Sequence, residues 1–268
     1  MPRAAVLGSP IAHSLSPALH RAAYRLLGLN WQYEAIECTE EEFPAFFASL
    51  DDEWRGLSLT MPLKEVVLTV VEDVSDVARE VRSANTVFRD GAEQPWRATN
   101  TDISGIENAL REVGVESVSS ARVLGAGATA RSAVAAIAGL GGSSVIIHAR
   151  RRDAAAAVAD LARRMGLEAT VADLTPVPAD CDLVVSTLPA DVAGPWTQCA
   201  HAADRTALVD ASYHPWPTPL ADAWLAHGSG TVVSGRDMLV WQAVAQVRLM
   251  TGEDFDDANV VSVMREAL

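Results

Sequence analysis

Basic residues are scarce in this chain. Lys and Arg number 21 against 35 Asp and Glu, for a formal net charge of −14. Backbone-led binding of nucleic acid needs a broad basic surface, so no nucleic-acid partner is expected. Cysteine is scarcer still: Cys38, Cys181 and Cys199 form no CxxC pair and are odd in number. That argues against a disulfide framework and against a zinc knuckle, and no metal is expected. Apolar runs are short, none approaching the roughly 20 residues that span a bilayer. Met1-Pro2-Arg3 leads straight into Ala4-Ala5-Val6-Leu7-Gly8 without the pattern of a signal peptide. The expectation is a reduced, cytoplasmic protein with no membrane partner. G-x-S-x-G, HExxH and Walker patterns are absent, which leaves hydrolase, zinc-protease and P-loop readings without support.

What is present is a globular composition, 49% hydrophobic and 21% charged over 268 residues, enough for one large or two ordinary domains. Short β-rich runs alternate with helical stretches almost throughout, which predicts an α/β fold with mostly parallel sheets. In the first hundred residues the pattern predicts strands at Arg3–Leu7, Trp31–Glu37, Arg55–Leu59 and Asn85–Arg89. Helices are predicted between them at Pro17–Leu27, Glu40–Ser49, Lys64–Val71 and Ser75–Val81, with Ser16 as a helix cap ahead of Pro17. Asp90-Gly91 turns a hairpin into a short strand at Trp96–Ala98. Beyond a connecting helix at Ile103–Val113, strands at Ala121–Leu124, Ser144–His148, Glu168–Val171, Asp182–Ser186, Ala207–Asp210 and Thr231–Val233 alternate with helices at Ala128–Leu140 and Asp153–Met165. This is the order of a doubly wound, Rossmann-type nucleotide-binding domain. A nearly all-apolar helix at Asp237–Thr251 and a final helix at Asp256–Ala267 close the chain.

Gly125-Ala126-Gly127-Ala128-Thr129-Ala130 is a G-x-G-x-x-A loop between a predicted strand and a predicted helix. The first glycine permits the tight turn and the second lets the backbone approach a pyrophosphate. The small third residue lets helix and strand pack, and the free N–H groups of the helix end face the phosphates. An NAD site carries an acid at the end of the next strand. Here that strand runs instead into His148-Ala149-Arg150-Arg151-Arg152. Three arginines suit the 2′-phosphate of NADP, and positive charge at a helix N-terminus is unfavourable without an anion to offset it.

Further clusters sit at strand ends: Ser14-Leu15-Ser16-Pro17, Thr60-Met61-Pro62-Leu63-Lys64, Ala84-Asn85-Thr86 and Asn100-Thr101-Asp102. With Gly125 to Gly127, the Tyr213 to Pro219 segment and Gly235 to Gln242, they follow in order the motifs of a known family. The chain resembles the shikimate dehydrogenases nearly end to end. The resemblance implies reversible oxidation of shikimate to 3-dehydroshikimate with NADP, a step of aromatic amino-acid biosynthesis. It places Lys64 and Asp102 at the reacting hydroxyl and Ser14 and Ser16 at the carboxylate. Thr60, Asn85, Tyr213 and Gln242 fall to the other polar groups of the substrate. On the cofactor side it implies Gly125, Ala126, Gly127, Ala128, Thr129, Arg150, Arg151, Arg152 and Gly235, with Asp76 and Ala211 near the nicotinamide.

The chain departs from the family pattern at Leu59 (usually Val), at Ala128 (often Gly) and at Ala149-Arg150-Arg151 (usually Asn-Arg-Thr). The last exchanges a polar contact for a charge. Moving a hydride off an alcohol carbon requires the hydroxyl proton to leave, so a lysine and a carboxylate form a coupled acid/base pair. Gln242, in a nearly all-apolar helix, needs a backbone or ligand partner for its amide.

The expected organisation is a substrate domain of residues 1–102, completed by 237–268, and an NADP-binding domain of residues 103–236. The partner is a small molecule, and the protein is a monomer or homodimer. Rival readings are an NAD-dependent quinate/shikimate dehydrogenase, a non-catalytic NADP-binding regulatory relative, and a generic Rossmann dehydrogenase for another hydroxy acid.

Overall fold

The computed structural model describes residues 1–202, 205–227 and 230–268. The chain forms two compact units, Met1–Thr101 with Leu239–Leu268, and Asp102–Met238. Each holds a six-stranded sheet.

The first unit runs β1 (Arg3–Gly8), α1 (Ser16–Leu26), β2 (Gln32–Glu37), α2 (Phe43–Ala48), β3 (Trp54–Leu59), α3 (Leu63–Val66), β4 (Asp73–Val74), α4 (Asp76–Glu80), β5 (Thr86–Phe88) and β6 (Arg97–Thr99). Its sheet order is β2-β1-β3-β5-β6-β4. All strands share one direction except β5, which is antiparallel to both β3 and β6. β1 is apolar on both faces because both are covered. Ala4 and Val6 join one core with Leu19, Ala23 and Tyr24, while Ala5 and Leu7 join another with Phe43, Leu57 and Leu63. The first core also takes in Val240, Val244, Val247, Val260 and Met264.

The second unit runs α5 (Asp102–Glu112), β7 (Ser120–Leu124), α6 (Ala128–Gly139), β8 (Ser144–His148), α7 (Arg152–Arg164), β9 (Glu168–Ala172), β10 (Leu183–Ser186), α8 (Ala190–Ala193), β11 (Ala207–Asp210), α9 (Pro219–His227) and β12 (Val232–Ser234). All its pairings are parallel, in the order β12-β11-β10-β7-β8-β9. This is the doubly wound arrangement, with the strand order reversing at β7. Helices α10 (Gly235–Thr251) and α11 (Asp257–Glu266) complete the chain. Asp256 caps α11 by accepting from the Ala258 N–H at 3.0 Å, and no residue of α10 is exposed.

The structure corrects several local expectations. Ser16 is not the cap of α1. It is the first helical residue, its N–H donates to Ser14 Oγ at 3.4 Å, and the N-cap position is Leu15, which offers no side-chain cap. The helix expected over Lys64–Val71 stops at Val66 and continues as a single 3₁₀ turn, Val67–Thr69. Its β-branched run costs χ1 freedom against the preceding turn. α2 is shorter than Glu40–Ser49. The two-residue β4 carries no periodicity to read, and the short α8 with the 3₁₀ segment Gly194–Ala202 goes beyond what the pattern predicts. α9 does carry a start signal, because Thr218 ahead of Pro219 accepts from the Ala221 N–H at 3.0 Å.

Candidate active site

In the first unit the chain passes from β1 through α1 to β2 on one side, then through α2 to β3 on the other side of β1. Ligands of open α/β sheets bind outside the carboxyl ends of the strands at such a switch point. The serine loop leaves the end of β1 there and the Thr60–Lys64 segment leaves the end of β3. The two are joined by backbone bonds, Thr60 N–H to Leu7 O at 2.9 Å and Ser9 N–H to Met61 O at 3.0 Å. Glu37, at the end of β2, clamps the serine loop, accepting from Ser9 Oγ at 2.6 Å and from the Ile11 N–H at 3.0 Å.

Because β5 runs antiparallel, its first residues arrive at the same end of the sheet. The Leu59 N–H donates to Asn85 O at 2.8 Å, and the Asn85 N–H to Thr99 O at 3.1 Å. The Asn85 side chain is 2% exposed and strongly held. Its Oδ1 accepts from the Thr101 N–H at 2.7 Å and from Thr86 Oγ1 at 2.8 Å, and its Nδ2 donates to Gln242 Oε1 at 3.1 Å. Gln242 Nε2 donates to Leu239 O at 3.0 Å, so this buried amide has both a side-chain and a backbone partner. Ser14, Ser16, Thr60, Lys64, Asn85 and Gln242 therefore belong to one end of one unit. Asp76 opens α4 at the same end, just after the edge strand β4, and is exposed. His13 is exposed in the serine loop, whereas His20 is fully buried on α1.

The second unit repeats the logic with backbone in place of side chains. Gly125 follows β7 with φ +116, a left-handed conformation in which a Cβ would run into the Thr187 hydroxyl. Gly127 is the N-cap of the twelve-residue α6 with no side-chain cap, and nothing lies within 4 Å of where its Cβ would stand. The helix end thus keeps N–H donors and open space for an anion. The donor set and the space fit a dinucleotide pyrophosphate.

β8 ends at His148, and Arg150, Arg151 and Arg152 follow, all exposed. Arg152 is paired with Asp173 at 2.8 Å. Among the described residues Arg150 and Arg151 make no ion pair, so the cations left for a phosphate are these two rather than all three. Ala211 follows β11, and Gly235 follows β12. A Cβ on Gly235 would strike the Ala211 carbonyl, so only glycine allows this approach. Tyr213 is half-buried in the loop after β11. That loop is tied down by Asp210, which accepts from Thr218 Oγ1 and from the Ser212 N–H at 3.2 Å. Burial pushes the Asp210 carboxyl above its usual range against the pull of those two donors. Asp102, 4% exposed, is the first residue of α5, where a carboxylate suits the helix dipole.

Residues 6–87 match the shikimate dehydrogenase substrate binding domain, and residues 235–268 the shikimate 5′-dehydrogenase C-terminal domain. A shikimate dehydrogenase (NADP(+)) of Thermus thermophilus is 35% identical over 272 residues, covering 100% of this chain and 99% of its own. The chain belongs to the shikimate dehydrogenase family. Two solved shikimate dehydrogenases extend the likeness to structure. The shikimate 5-dehydrogenase of Mycobacterium fortuitum is 44% identical with a TM-score of 0.87, covering 100% of this chain and 97% of that one. The shikimate 5-dehydrogenase of Thermus thermophilus, solved in complex with NADP(H) and shikimate, is 33% identical with a TM-score of 0.82, covering 100% of both chains.

Sequence reasoning overlooks Gln246. It lies one helical turn beyond Gln242, is 1% exposed, and bonds to His20, Ser58, Asn85 and Thr86. The available signal is the i, i+4 spacing of two glutamines in a nearly all-apolar helix, which puts both on one face. Among the described residues no cluster of His, Cys, Asp or Glu could hold a metal, and no helix is long and apolar enough to cross a membrane.

Proposed function

We propose that this protein interconverts shikimate and 3-dehydroshikimate by hydride transfer to and from NADP, in aromatic amino-acid biosynthesis. The observation that carries this reading is the convergence of Ser14, Ser16, Thr60, Lys64, Asn85 and Gln242 at the strand ends of one sheet. That convergence occurs in a chain 33% identical, end to end, to a relative solved with NADP(H) and shikimate. Ser14 and Ser16 offer hydroxyls to the carboxylate. Thr60, Asn85, Gln242 and Tyr213 serve the remaining oxygens.

Bound NADP supplies the hydride acceptor. The Gly125 to Thr129 turn and the bare start of α6 hold its pyrophosphate. Arg150 and Arg151 take the 2′-phosphate, and Arg152 supports them from its pair with Asp173. Asp76, Ala211 and Gly235 are assigned to the nicotinamide end. As the alcohol carbon gives up its hydride, the hydroxyl proton must leave. Lys64 Nζ takes that proton as a neutral amine and returns it in the reverse direction, while the Asp102 carboxylate orients the same hydroxyl. Residues 1–102 with 237–268 act as the substrate domain and 103–236 as the NADP domain. Unpaired, partly or fully buried cysteines accord with a reducing cytoplasm, where the protein works as a monomer or homodimer.

The test is nicotinamide absorbance with purified protein and each pairing of shikimate or quinate with NADP or NAD. Rapid reduction with shikimate and NADP is expected. Turnover confined to quinate with NAD would overturn the arginine argument. NADP binding without turnover in any pairing would favour the regulatory reading.

A further inference from the structure

Behind the residues assigned to substrate lies a buried chain of hydrogen bonds centred on a single side chain, Gln246. The Gln246 amide is oriented by the Asn85 carbonyl, which only accepts. Nε2 therefore faces Asn85 O at 3.1 Å and Thr86 Oγ1 at 3.0 Å. Oε1 is left to accept from Ser58 Oγ at 2.8 Å and from His20 Nε2 at 3.2 Å. Both donors and both lone pairs of the amide are in use.

The consequences propagate both ways. Ser58 spends its proton on Gln246, so Tyr33 Oη must donate to Ser58, at 2.6 Å. In the other direction Thr86 accepts from Gln246 and passes its own proton to Asn85 Oδ1 at 2.8 Å. The Asn85 amide, whose Oδ1 also accepts from the Thr101 N–H at 2.7 Å, is turned so that Nδ2 donates to Gln242 Oε1 at 3.1 Å. Two of the assigned substrate residues, Asn85 and Gln242, thus hang on one polarised chain. In a water-poor interior such chains reinforce their members.

We infer that Gln246 is a positioning residue for the substrate end of the active site, one that holds Asn85, and through it Gln242, in place to meet shikimate. The inference rests on the functional reading above. Asn85 presents a fixed amide face. The titratable groups in this chain are His20 and Tyr24 from α1 and Tyr33 from β2. Burial holds His20 neutral with its proton on Nε2, and pushes both tyrosines above their usual range.

The test uses the intact chain and two variants, Gln246→Met and Gln246→Glu, with thermal unfolding as a check on folding. Gln246→Met removes every bond at nearly constant volume. The expected result is a shikimate KM raised about tenfold with the KM for NADP unchanged, because only the substrate side loses its orientation. Gln246→Glu keeps the shape. Protonated, it still donates toward Asn85; ionised, it presents two acceptors to the Asn85 carbonyl. Its shikimate KM, relative to the wild type at each pH, is therefore expected to climb as pH rises through the pKa of the buried carboxyl. Equal shikimate KM in folded Gln246→Met, or a Gln246→Glu ratio flat with pH, overturns the inference. If the methionine variant does not fold, the pH ratio decides alone. A wild type without shikimate turnover overturns the functional reading, and the inference with it; an active wild type with insensitive variants overturns the inference only.

Discussion

The two sheets of this protein make their binding ends from different materials. At the strand ends of the first unit, buried amides and hydroxyls are locked to one another across long stretches of sequence, such as Asn85 with Gln242 and Ser58 with Gln246. At those of the second unit the main chain does most of the work, through a left-handed Gly125 and an uncapped helix, with exposed arginines at the rim. A network of side chains selects one shape of polyol. A backbone cradle accepts a phosphate from any nucleotide and leaves selectivity to a few surface charges. Substitutions should thus propagate in the first unit and stay local in the second.

The largest effect that would sharpen this contrast is expected from Asp102→Asn. Steady-state kinetics should give a kcat/KM lowered by about a hundredfold, since the carboxylate proposed to orient the reacting hydroxyl loses its charge. Unchanged kcat/KM would remove Asp102 from the chemistry. Next comes Gly125→Ala, which forces a methyl group into φ +116 and against the Thr187 hydroxyl. Strain of about 1–3 kcal/mol should appear as a lower Tm and weaker NADP binding, with the shikimate KM untouched. A shikimate KM that moved as much would break the division between the two ends.

Replacing Arg150 and Arg151 together by Gln should narrow the preference for NADP over NAD by roughly tenfold, less so at high salt. An unaltered ratio of the two nucleotide affinities would refute the arginine assignment.

A further expectation concerns stability. Burial lowers the His20 pKa from 6.5 to about 3. Below pH 6.5 the unfolded chain takes up a proton that the folded chain refuses until about pH 3, so stability falls as pH drops through that window. The slope should be roughly 1 kcal/mol per pH unit. Urea unfolding across pH should show this slope in the wild type and lose it in His20→Gln; equal slopes would contradict the buried, neutral imidazole.

The same contrast governs what can be read without coordinates. The glycine loop and the arginine run are contiguous, so their strand-turn-helix context is visible in the sequence, and so is the α/β alternation around them. The serine loop and Thr60–Lys64 are legible as motifs, but the bonds that join β1 to β3 are not. Gln246 is illegible for a different reason. Its partners lie 160 or more residues away at Asn85 and Thr86, and a glutamine on a helix reads as a solvated residue until the sheet it faces is known. The pairing of Arg152 with Asp173 likewise depends on β8 lying beside β9, a neighbour relation that periodicity does not supply.

The measurement that bears most directly on the account is single-turnover hydride transfer in Lys64→Ala at saturating shikimate and NADP, with both affinities measured by titration. Lys64 is assigned a proton and not a binding role. The rate constant for nicotinamide reduction should therefore fall by about a hundredfold or more while both affinities stay close to the wild type. A wild-type rate constant in that variant would contradict the assignment of Lys64, and with it the chemistry proposed for this end of the sheet.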